Sequence, residues 1–103
     1  MDFEQALAAF ITNITEAKEA DRAKNFSALE RTIYTAQRGR KNIRIVTDEH
    51  KPSASVFCFV RIDDGAVLKA AGWKAPAKGQ RGTIFTEDPK EYGCGVYGAN
   101  YLR

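Results

Sequence analysis

Apolar residues open the chain at Phe3, Leu7, Phe10, Ile14 and Ala17, with Ile11 beside them. Steps of four and three are the rhythm of a helix with one buried stripe, and they predict a helix over 3–24. Asp2 with Gln5 three positions later has the form of a capping box, Asp standing in the Ser/Thr role. The later turns, "EAKEADRAKN", thin to alanine and charge. The stripe has two uses open to it: packing on the protein's own sheet, or forming a seam between copies.

Beyond Asn25 the period shortens to two. "ALERTIYTAQ" (28–37) and "IRIVTDE" (43–49) alternate and carry the β-branched and aromatic residues that strands favour. Between them "RGRKN" (38–42) holds a glycine and three cations, so a hairpin is expected with Arg38, Arg40 and Lys41 at its tip. "SVFCFVRI" (55–62) is the strongest strand signal. Phe57, Phe59 and Arg61 fall on one face, and Val56, Cys58, Val60 and Ile62 on the other. Both faces are apolar, which predicts a central strand. "DDGA" (63–66) is a turn, and "VLKAA" (67–71) returns antiparallel. Residues 69–85 read as a Gly/Ala/Pro-rich loop ending in a short strand at "TIF" (83–85), "TEDPKEY" (86–92) as a turn of helix, and "GCGVYGANYLR" (93–103) as an irregular or edge-strand tail.

This order predicts an α+β fold: one N-terminal amphipathic helix, then a mostly antiparallel sheet of four to five strands and a Gly-rich tail. At 103 residues a single domain over 1–103 is expected, residues 1–25 supplying the helix and an oligomerisation seam, and 28–103 the sheet with a basic binding surface. No apolar run is long enough to span a bilayer, and no membrane partner is expected. The acids at the N-terminus stand where an export signal would place cations.

Charge sharpens the picture. Residues 1–30 carry net −3, residues 31–85 net +7 and residues 86–103 net −1. Cations concentrated in the sheet suggest an anionic partner, although solvated strand faces would also account for them. Cys58 and Cys94 lie far apart in sequence and His50 is the one histidine, too few soft ligands for zinc. A reduced, intracellular protein without a disulfide or a cofactor is expected. No catalytic constellation stands out. The glycines of "GCGVYG" match G-x-G-x-x-G by count but lack the strand–turn–helix context. An enzyme is not expected.

Two features point to nucleic acid. Trp73 sits among Lys69, Lys74, Lys78 and Arg81 with no acid between Lys69 and Phe85. A Trp anchoring a loop is one reading; a base-stacking platform in an electropositive groove is the other. Phe57 and Phe59, with Cys58 and Val60, match the aromatic–small–aromatic–Val core of the RRM sheet motif. Val56 and Ser55 depart from that motif and a second helix is lacking, so an RRM is not expected. The two rings are read as core or as further stacking surfaces.

"GAVLKAAGWKAPAKGQRGTIF" resembles a small protein family widespread in tailed bacterial viruses. The resemblance rests on Ser55, Val56, Phe59, Val60, Asp64, Gly65, Leu68, Lys69, Ala71, Trp73, Lys74, Pro76, Ala77, Lys78, Arg81 and Gly82, with "GANYLR" at the end. It covers about residues 40–103 and leaves out the helix. One branch of that family is similar to Drc, the early single-stranded-DNA-binding transcription cofactor of N4-like viruses. The resemblance implies a DNA-binding viral early protein of the infected host's cytoplasm, acting in transcription regulation or DNA replication.

The expectation is therefore a binder of single-stranded nucleic acid, DNA first, with weak sequence preference, working as a homo-oligomer. Trp73, Lys69, Lys74, Lys78 and Arg81 form its first patch and Arg38, Arg40, Lys41 and Arg44 its second, with Phe57 and Phe59 as additional stacking rings. Residue order cannot say whether the two patches share a face. The competing expectation is a protein-interaction module docking on an RNA polymerase through the Trp73 loop.

Overall fold

The computed structural model describes residues 2–25, 31–95 and 98–99. One helix, α1 (Phe3–Asn25), precedes a five-stranded antiparallel sheet: β1 (Tyr34–Arg38), β2 (Asn42–Thr47), β3 (Ser55–Arg61), β4 (Ala66–Ala70) and β5 (Pro76–Thr83), in the order β1-β2-β3-β4-β5. A 3-10 turn (Pro89–Tyr92) and a minimal hairpin, β6 (Cys94–Gly95) with β7 (Gly98–Ala99), follow. The fold is α+β, with β3 in the middle of the sheet. Residues 28–30 and the end of the "GANYLR" stretch lie outside the described residues.

The helix begins where the sequence places it. Gln5 N donates to Asp2 Oδ1 at 2.8 Å, and Asp2 N to Gln5 Oε1 at 3.2 Å. The reciprocal pair satisfies two amides that a bare helix end would leave without partners. Arg22 and Lys24 in the last turn complement the helix dipole.

The stripe packs on this chain's own sheet. Ala6, Leu7, Phe10 and Ile14 meet Ile43, Ile45, Cys58, Val60, Val67, Ile84 and Tyr92 in one core. Leu7, Phe10 and Ile14 are therefore not available as a seam between copies. Ala17, counted into the stripe, is exposed. Two exposed ion pairs link the helix to β1 and to the residues just before it. Arg38 pairs with Glu4 near one end, and Arg31 with Glu19 near the other at 3.4 Å.

Two readings of the strands need correction. Residues 69–85 are not mainly loop: β5 occupies Pro76–Thr83, and the connection from β4 is 71–75. Cross-strand bonding to β4 overrides the weak strand preference of glycine and alanine. Pro76 is tolerated because it opens the strand, where a ladder donor is not required. Second, β3 does not alternate throughout. Ile45 pairs with Cys58 but Val46 with Val56, so Phe57 is an extra residue in a bulge. Its ring turns to the helix side, edge-on to Tyr34 at 5.1 Å, and joins the core. Phe59, beyond the bulge, faces the other way. The shared face expected of Phe57 and Phe59 does not exist.

Close backbone approach explains two glycines of the Arg-Gly and Tyr-Gly pairs. A Cβ on Gly82 would lie 2.3 Å from the carbonyl of Tyr92, and one on Gly93 2.1 Å from the carbonyl oxygen of Arg81. Gly93 also has φ +72° and ends the 3-10 turn, which Asp88 caps by accepting from Lys90 N at 3.0 Å. Gly82 thus makes room for the chain's own backbone at Glu91 and Tyr92.

Candidate nucleic-acid interface

The sheet face opposite the helix is built from one register row. Gln37 faces Arg44, Arg44 faces Phe59, Phe59 faces Leu68, and Leu68 faces Gln80. The middle of the row is apolar, with Phe59 and Leu68 each 4% exposed. Its β1–β2 end is polar.

In a flat meander the β1–β2 turn and the β4–β5 turn lie at opposite ends. Here the β4–β5 ribbon carries two register shifts, between Val67 and Leu68 and between Leu68 and Ala70, and Gly79 takes φ +93°. Bulges of this kind bend and twist a ribbon. The bend brings the 71–75 connection back to the open face, where Trp73 meets Arg44. The Arg44 guanidinium carbon lies 5.5 Å from the Trp73 ring centroid, and Arg44 Nη1 donates to the Trp73 carbonyl at 2.5 Å. Arg44 Nε donates to Gln37 Oε1 at 2.8 Å, and Gln37 Nε2 to Glu49 Oε2 at 2.7 Å. The chain Glu49–Gln37–Arg44 holds the guanidinium over the indole. Trp73 stays 47% exposed, so it is no buried anchor.

Beside this pair lies a groove of about 390 Å³ lined by Gln37–Asn42, Arg44, Phe59 and Lys74. The basic hairpin and the Trp73 connection therefore share one face. The side chains of Arg40, Lys41 and Lys74 are exposed and have no ion-pair or hydrogen-bond partner among the described residues. Such cations are well hydrated and ready to exchange counterions for phosphate.

The remaining expected site residues divide. Arg38 lines the groove, but its guanidinium is paired with Glu4 and stands 6.0 Å from the Phe3 ring centroid. Lys69, Lys78 and Arg81 do not line it. Strand alternation sets Lys69 on the face opposite Leu68. Arg81 folds back so that Nη1 donates to the Lys78 and Gly79 carbonyls at 2.9 and 2.5 Å. Lys78 is exposed on β5. Phe57 is core. Gln37 was not read from the sequence as a site residue. Its parity with Arg44 across the hairpin is the signal that would have shown it.

The thiols lie on the helix side. Both are free. Burial raises the Cys58 thiol well above its usual range, with Cys94 contributing, and pushes Cys94 up to about 12. Among the described residues no cluster of three or more His, Cys, Asp or Glu side chains could hold a metal ion, and no helix is long and apolar enough to cross a membrane.

Residues 2–98 match a family of unknown function, DUF7717. No curated protein and no solved structure matches the chain.

Proposed function

The chain belongs to that family of unknown function, and we propose that it binds single-stranded nucleic acid, DNA first, with weak sequence preference. The carrying observation is a groove lined by the basic hairpin tip, Arg44 and Lys74, with the half-exposed Trp73 ring beside it against the Arg44 guanidinium. Its residues divide the work. Arg40, Lys41 and Lys74 neutralise phosphates, a sequence-independent and salt-sensitive contribution. Trp73, backed by Arg44, offers an indole face on which a base stacks, and every base has such a face. The groove is at the small end of the ~300–1,000 Å³ range of ligand sites. It is open to solvent, which suits one residue of an extended strand. Among the described residues, the one α-helix packs on the opposite face of the sheet, away from this groove.

The resemblance of about residues 40–103 to a family of tailed bacterial viruses supports placing this activity in viral early transcription or replication, in the cytoplasm of the infected host. It also makes an RNA polymerase a natural companion.

Fluorescence anisotropy of a labelled mixed-sequence single strand tests the reading, at low and high salt, against unlabelled duplex and matched RNA. Salt-sensitive binding that duplex does not displace, and that Trp73→Ala and Lys41→Ala/Lys74→Ala both weaken, supports it. Equal competition by RNA would widen the class to single strands of either sugar. Absence of binding at low salt would overturn it. Capture of a polymerase through Trp73, insensitive to salt, would then favour a protein-docking module.

A further inference from the structure

We propose that the outer edge of β1 is a self-association surface, on which a second copy of this chain adds its own β1 antiparallel about a two-fold axis at Ala36. The two edges of the sheet differ. β5 is blunted: Pro76 has no amide hydrogen, Gly79 bends the strand, two register shifts interrupt the pairing, and Arg81 occupies the Lys78 and Gly79 carbonyls. These are the devices by which proteins protect an edge. β1 has none of them. It pairs with β2 in unbroken register from Tyr34 to Arg38, and no described strand lies on its other side.

The backbone parity of β1 is fixed. Asp48 N donates to the Ile33 carbonyl at 2.8 Å, and Gly39 N to the Asn42 carbonyl at 2.9 Å. In an antiparallel ladder, residues bonded to one neighbour alternate with residues directed away from it. Ile33, Thr35, Gln37 and Gly39 therefore bond toward β2, while Tyr34, Ala36 and Arg38 direct their N–H and C=O groups outward. A two-fold axis at Ala36 sets Ala36 opposite itself and Tyr34 opposite the second copy's Arg38. Each of the facing pairs then exchanges two N–H···O=C bonds, so the edge is complementary to itself.

The side chains permit the approach. Ala36, at the axis, is small and exposed. Arg38 brings no uncompensated charge, because Glu4 of its own chain already pairs with it. Ile33, at 54% the most exposed large apolar residue among the described residues, would lie opposite Gly39 of the second copy, which has no side chain to exclude it. The product is one continuous sheet. Gln37 of each copy lines a groove and sits on β1, so both grooves would open on the same face beside the axis. The pairing rests on backbone geometry and does not depend on what the grooves bind.

Sedimentation equilibrium over a graded concentration series tests it, with wild type, Ala36→Pro and Ala36→Lys. Proline removes an outward amide that β2 does not use. Lysine keeps the amide but sets like charges face to face at the axis. Wild type is expected as a dimer that dissociates on dilution, and both variants as monomers. Far-UV circular dichroism checks their folding, and the lysine variant carries the test should the proline one misfold. Ala36→Cys adds a positional readout. Facing residues in such a pair stand ~5.5 Å apart at Cα, within disulfide reach. Mild oxidation should cross-link this variant and leave Lys78→Cys, on the blunted edge, monomeric. A wild type that is monomeric throughout, a dimer that survives the lysine substitution, or equal cross-linking of the β5 variant would overturn the proposal.

Discussion

Arg44 holds Trp73 from two directions at once. Its guanidinium carbon stands 5.5 Å from the indole centroid while Nη1 donates to the Trp73 carbonyl at 2.5 Å. Side-chain face and backbone of the same residue are fixed by one cation, which Gln37 and Glu49 fix in turn. Trp73 is the chain's sole tryptophan, so its fluorescence reports this pair directly. Arg44→Lys keeps the charge but loses the planar fork that serves indole, carbonyl and Gln37 together. It is expected to shift the emission maximum and increase acrylamide quenching, with little change in melting temperature. An unchanged emission spectrum and quenching constant would show that Arg44 does not hold the indole.

Removing the stacking surface should cost affinity without unfolding the protein. Trp73 is half exposed and outside the core. Trp73→Ala is expected to weaken single-strand binding by the ~1–3 kcal/mol assigned to a base–aromatic stack. Anisotropy titrations at one fixed salt concentration measure the loss. A Kd equal to that of wild type would remove Trp73 from the interface.

The groove cations should appear in the salt dependence. Each phosphate contact to a single strand contributes about 0.7 to the slope of log K against log salt. Lys41→Ala and Lys74→Ala are each expected to lower that slope by roughly this amount. Lys69→Ala, outside the groove, should leave it within error. An effect at Lys69 equal to that at Lys74 would argue for binding spread over the whole basic segment.

Core packing sets a second class of outcomes. Phe10 is fully buried and meets Tyr92 edge-on at 4.8 Å, while Asn13 Nδ2 donates to the Tyr92 hydroxyl at 2.8 Å. Phe10→Ala is expected to cost about 3–5 kcal/mol in urea unfolding. Gly82→Ala should cost about 1–3 kcal/mol, because its Cβ would meet the Tyr92 carbonyl and two backbones would have to part.

The buried thiol of Cys94 gives a pH dependence of known sign. In the unfolded chain it titrates near its ordinary value of 9.0; folded, burial pushes it up to about 12. Below pH 9 both states hold the proton and the stability contribution is intact. Between pH 9 and 12 the unfolded state releases the proton and the folded state keeps it, so stability falls as pH rises. Melting temperatures across this window should fall less steeply for Cys94→Ala than for wild type. Parallel slopes would mean that Cys94 is not the group responsible.

Much of the architecture is written locally. The helix over Phe3–Asn25, its Asp2–Gln5 cap, the β1–β2 hairpin, the central place of β3 and the capped turn at Pro89 all follow from period, capping chemistry and turn residues a few positions apart. Such features are legible because the interacting groups are near neighbours in sequence. The candidate site is not local. Its cations and Trp73 could be named, but not their distribution over faces. A single bulged residue sends Phe57 to the helix side and leaves Phe59, itself buried, on the opposite face, because period two inverts at each inserted residue. Arg38 is drawn to Glu4, 34 positions away, a pairing that exists only once the helix lies on the sheet. The β4–β5 connection reaches Arg44 only because two register shifts bend its ribbon over the sheet. The sequence by itself determined which elements form and which residues carry charge and ring surface. Tertiary structure alone decided which of them meet, because strand register and curvature are set by the packing of the whole sheet.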